Sequence, residues 1–203
     1  KMKNTIQQTL LNSFSYSEYR KKVTELKKKR KSTGHEQSND LLHYSELNEA
    51  RMNRLEKTIA IVDEVKTKLE NLDKKYIWLV LAEGWCGDAA QILPVINQLA
   101  TVSRGKIDLK IVLRDENEAL MNLFLTNKSK SIPIVIIVDK QTGELMGHWG
   151  PRPQGAIALI QDYKKEFGVV DETAKTNLQL WYLHDKGLSS QKEIIDMMLE
   201  IES

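Results

Sequence analysis

The stretch Glu83-Gly-Trp-Cys-Gly-Asp-Ala-Ala-Gln-Ile-Leu-Pro94 decides how this chain is read. It holds Cys86, the one cysteine among 203 residues, and the apolar run Tyr76–Ala82 leads straight into it. A continuous apolar run of that length is the pattern of a strand buried on both faces. Helical spacing follows, so Cys86 falls at a strand-to-helix junction. Backbone N–H groups and the helix dipole favour negative charge there, which makes a thiolate more available. Asp88, in the first turn, opposes this, because a second negative charge nearby raises a thiol pKa. The competing reading is a lone cysteine buried as a small apolar side chain.

Outward from this point the pattern alternates. A helix is expected from about Cys86 to Thr101, a strand at Leu109–Leu113, a short helix near Glu116–Leu125 and a strand at Ile134–Val138. Gln141-Thr-Gly143 then turns the chain into a strand at Glu144–Trp149, and Pro151-Arg-Pro153 opens a helix from about Gln154 to Phe167. A βαβ unit, a hairpin and a closing helix predict an α/β sandwich around a mixed sheet.

Residues 1–71 and 169–203 read as helical additions flanking a domain at 72–168. Ser15 and Glu18 have capping-box spacing ahead of a basic helix from Tyr16 to about Lys31. Ser32–Asp40 reads as a loop. From Ser45 a long helix is expected, with Leu55, Ile59, Val62 and Leu69 along one face. Near the other end a helix spans Asp171 to about Lys186, with Gly187 as its C-cap. Ser190 and Glu193 then predict a capping box before Ile194–Ile201.

Composition narrows the function classes. Hydrophobic content of 41% and charged content of 29% describe a globular protein, and a net charge of +2 gives no argument for nucleic acid. The longest apolar runs fall far short of the roughly 20 residues that span a bilayer. No signal-peptide pattern opens the chain. A single cysteine asks for no oxidising compartment, so a cytoplasmic location is expected. The four histidines show no metal-site spacing with Cys86. Arg51, Arg54 and Lys57 form a basic stripe on the long N-terminal helix, read either as a solvated face or as an anion site. Lys27-Lys-Lys-Arg-Lys31 reads as a solvated helix end.

Trp85-Cys-Gly-Asp-Ala89, with Pro94 eight positions after the cysteine, resembles the active-site helix of thioredoxins, where the pattern is W-C-G-P-C. Ser131-Ile-Pro-Ile-Val-Ile-Ile-Val-Asp139 resembles the thioredoxin segment that opens a central strand with a cis-proline, and Gly143–Gly150 resembles the last hairpin strand. The resemblance implies a thioredoxin-like three-layer sandwich with extra helices at both termini and Cys86 as nucleophile. It places Trp85, Gly87, Asp88, Ile132, Pro133 and Gly150 around the substrate, and gives the backbone of Ile132 to a bound peptide or thiol.

Three departures limit what carries over. Ala89 stands where the resolving cysteine belongs, Asp88 replaces the intervening proline, and Val80 occupies the place of the buried aspartate. Standard disulfide reduction needs attack by a second thiol. The expectation is therefore a monothiol protein whose mixed disulfides at Cys86 are resolved by an external thiol, small or proteinaceous. The alternatives are a redox-silent module that binds a peptide in the cis-proline groove, and an iron–sulfur cluster held across a dimer. No resident cofactor is expected. His148, beside Gly150, is a candidate proton acceptor.

Overall fold

The computed structural model describes residues 1–203, which form nine α-helices and a four-stranded mixed sheet. The sheet has the order β2-β1-β3-β4, with β1 at Tyr76–Ala82, β2 at Ile107–Leu113, β3 at Ile134–Asp139 and β4 at Leu145–Trp149. β1 runs parallel to β2 and antiparallel to β3, and β3 pairs antiparallel with β4. β1 and β3 are central strands, and β3 is buried throughout, which is why both read as unbroken apolar runs.

The helix after Cys86, Gly87–Val102, is buried on nearly every side. Three further helices pack on it: Asn39–Thr58, Asp63–Glu70 and Leu188–Glu202. In chain order the helices are α1 (Met2–Leu10), α2 (Tyr16–Lys28), α3 (Asn39–Thr58), α4 (Asp63–Glu70), α5 (Gly87–Val102), α6 (Glu118–Met121), α7 (Gln154–Phe167), α8 (Glu172–Asp185) and α9 (Leu188–Glu202). One apolar cluster joins side chains from all three parts of the chain, from Ile6 to Met198.

Where the structure differs from expectation, particular side-chain hydrogen bonds explain it. The long helix from Ser45 instead begins at Asn39, capped by Ser38, whose hydroxyl accepts the Leu41 N–H. It does not continue through Ile59 to Leu69 either. The chain is extended at Ile59 and Val62, and the amide of Gln191 bonds both Ala60 O and Val62 N there. Ser190 and Glu193 form no capping box, because α9 already starts at Leu188 and Glu193 accepts from Trp149 Nε1 and Gln154 N. Ser15 and Glu18 do form one, with both reciprocal bonds present.

Candidate functional site

Cys86 is the N-cap of α5, and its Sγ accepts the N–H of Ala89 at 3.4 Å. The S–H donates to the carbonyl of Ile132 at 3.5 Å, immediately before the Ile132–Pro133 peptide, which is cis. The thiol therefore sits at a helix start and beside that bond. It is also largely covered, with 8% of the residue exposed. Burial, and then the Asp88 charge, push the thiol pKa up to about 12. The N–H groups of Ala89 and Asp88 and the Arg152 guanidinium pull it down without winning.

Asp88 points into the protein rather than into open solvent. Its carboxylate takes a fork from Arg152, with Nε–Oδ1 at 3.1 Å and Nη2–Oδ2 at 2.7 Å, and accepts the Tyr182 hydroxyl. Such bidentate charge-assisted bonding fixes geometry as well as charge. It ties the first turn of α5 to the loop before α7 and to α8.

Trp85 is half-buried beneath the Arg114 guanidinium, which lies 4.8 Å from the ring centroid. Gly87 faces α8, where a Cβ would meet Gln179 Nε2 at 2.8 Å. Ile132 and Pro133 are buried, and Gly150, at φ +127°, packs so tightly on Pro133 and Ile134 that a Cβ would collide with the Pro133 carbonyl oxygen. Ile132, Pro133 and Gly150 thus form one packed unit with the Cys86 thiol on its edge. His148 is exposed and stacks edge-on against Phe124 at 5.3 Å, with no contact to Cys86. Its strand register turns it away, which removes it as a proton acceptor.

The additions at both ends of the chain enclose the thiol. Asn48 of α3 donates to Gly84 O at 3.0 Å, and Thr33 accepts the N–H of Gly84 at 2.8 Å. With α8 on the other side, they leave a cleft of ≈ 1020 Å³ lined by Trp85, Cys86, Gly87 and Asp88. Arg51 and Arg54 also line it, whereas Lys57 does not. Lys27 instead closes α2 in an ion pair with Glu49 at 2.7 Å.

Sequence reasoning missed Asn48, Arg152, Gln179, Tyr182 and Glu83. Asn48 left one trace, a polar residue in step with Met52 and Leu55 on the buried face of α3. Glu83 is fully buried at the end of β1. Its Oε2 accepts from Asp115 N at 3.3 Å, while Oε1 has no partner. Burial raises its carboxyl pKa, and the nearby Asp115 charge adds to that. Val80, where thioredoxins place a buried acid, is fully buried in β1. No three His, Cys, Asp or Glu side chains converge as a metal site, and no helix is long and apolar enough to cross a membrane.

A family model described as thioredoxin matches residues 34–164. Two solved structures resemble the chain. A protein of unknown function from Pseudomonas aeruginosa is 17% identical with a TM-score of 0.59, over 92% of this chain and 98% of that one. An HIV epitope-scaffold is 18% identical with a TM-score of 0.57, over 92% and 99%. At such identities the likeness is one of fold. No curated protein matches.

Proposed function

The chain belongs to the thioredoxin family, and from that premise we propose that it is a monothiol member that exchanges disulfides through Cys86 with low-molecular-weight thiols in cell redox homeostasis. The observation that carries this reading is the Cys86 sulfur at a helix N-cap, beside Ile132 O and on the wall of a ≈ 1020 Å³ cleft. That volume lies at the upper end for small-molecule sites, which run to about 1,000 Å³. Walls contributed by α3 and α8 favour a small disulfide over the surface of a folded protein.

In the first step the Cys86 proton leaves to solvent and the thiolate attacks one sulfur of a disulfide RSSR. The S–S bond breaks, a Cys86–S–S–R bond forms, and RS⁻ departs with the electron pair and takes up a proton. An external thiolate then attacks the R sulfur, reforms a small disulfide and releases Cys86. Ala89 excludes internal resolution. A cytoplasmic location supplies such thiols.

One observation favours the second reading, a redox-silent binding module. A thiol pushed up to about 12 is almost wholly protonated at neutral pH, so exchange is slow unless the ligand lowers it. Intact mass after incubation with oxidised glutathione, beside a Cys86→Ser control, decides between the two. We expect one glutathione on the wild type only, with a rate that rises about tenfold per pH unit between pH ~6 and ~9. A folded protein that remains unmodified across that range is a binding module. Insulin reduction is expected to be absent.

A further inference from the structure

We propose that Arg51 and Arg54 form an anion-recognition site in the wall of the cleft, selecting small ligands that carry carboxylates; that the selected ligand is an acidic thiol or disulfide rests on the function proposed above. Two of the four Lys and Arg side chains that line the cleft are already paired. Arg152 is neutralised by Asp88 at 2.7 Å and Lys175 by Glu172 at 3.2 Å. Arg51 and Arg54, one helical turn apart on α3, have no carboxylate partner. Asp40, the one other acid in the lining, lies roughly three turns back along α3.

Arg51 is held rather than loose. Its Nη1 donates to Asn48 Oδ1 at 2.8 Å, and the same amide donates through Nδ2 to Gly84 O at 3.0 Å. The Asn48 oxygen in turn lies 4.0 Å from the position of a Cβ on Gly87. One buried amide therefore fixes the guanidinium next to the turn that presents Cys86. A guanidinium has five N–H donors in a planar fork, and this one spends a single donor within the chain. The free protein holds two like charges side by side, one of them half-buried, which a bidentate carboxylate relieves. Burial, and then the Arg54 charge, lower the Arg51 pKa, in keeping with an unmet demand for an anion. Leu47, Leu178 and Leu183 supply apolar wall for the aliphatic part of such a ligand.

The probe is S-methylglutathione, which carries two carboxylates and no reactive sulfur, titrated calorimetrically into the Cys86→Ser protein. Binding should weaken at least about tenfold in Arg51→Gln/Arg54→Gln, and by a similar factor when both carboxylates of the probe are methylated. Arg51→Lys should retain part of the affinity, since it keeps the charge and loses the fork. No binding at millimolar probe, or binding indifferent to both changes, overturns the proposal. Circular dichroism confirms that each variant is folded. If S-methylglutathione binds as described while wild-type Cys86 resists oxidised glutathione, the anion site stands and the thiol-exchange reading falls.

Discussion

Cys86 and Asp88 share one helical turn yet answer to opposite demands. The N–H groups at the start of α5 stabilise a thiolate, whereas the Asp88 carboxylate opposes it, and burial opposes it most. Asp88→Asn removes the opposing charge and leaves the Arg152 guanidinium beside the sulfur without its partner. Both changes favour the thiolate, so the Cys86 titration midpoint should fall by about one unit or more. The variant should also lose about 3 kcal/mol of stability, the low end for a buried charge left uncompensated. Tyr182 keeps an acceptor in the asparagine carbonyl. Thiolate absorbance across pH, with urea unfolding alongside, checks both effects. A midpoint that stays put or rises would mean that Asp88 does not control the thiol. The sequence already set Asp88 against the thiolate, because both lie in one turn. It could not reveal the other half of the pair, since Arg152 stands 64 residues away between two prolines.

At the level of elements, the apolar periods of β1, α5 and β3 were legible because these segments are buried almost throughout, and burial is what the apolar pattern records. The break between α3 and α4 was not legible. Ile59 and Val62 keep the helical spacing, and only Gln191, from the far end of the chain, holds that backbone extended. The cleft escaped for the same reason, being assembled from α3, α5 and α8, which are distant in sequence. Gly150 shows how closely the segment after β4 is set against the start of β3. At φ +127° an alanine is strained, and its methyl would also overlap the backbone oxygen of Pro133, which no side-chain rotation relieves. Gly150→Ala should therefore cost more than about 3 kcal/mol, beyond the range of backbone strain alone. Thermal unfolding measures it. A loss under about 1 kcal/mol would show that β3 and the segment after β4 can separate freely, and the packed unit beside Cys86 would not be rigid.

For the molecule as a whole, the question is whether residues 72–168 stand as a domain to which helices were added. The family match itself reaches back to residue 34, into the loop before α3. In α9, Ile194, Ile195 and Met198 are at most 3% exposed. Burying three such side chains is worth roughly 5–9 kcal/mol, comparable to the roughly 5–15 kcal/mol that holds an entire domain together. The same helix closes the start of the sheet through Glu202, whose carboxylate accepts from Asp73 N, Lys74 N and the Tyr76 hydroxyl. From the other end, Met52 and Leu69 enter the same cluster, both at most 3% exposed. Residues 72–168 expressed alone should thus fail to fold cooperatively. The full chain should unfold in one transition, with the same urea midpoint by far-ultraviolet dichroism and by tryptophan fluorescence. Trp78 is fully buried in β1 and Trp181 lies on α8, so fluorescence reports the sheet and the C-terminal helices together. A cooperative transition in the isolated segment would overturn this, and α3 and α8 would then be walls laid over an independent sheet rather than part of what holds Cys86 in place.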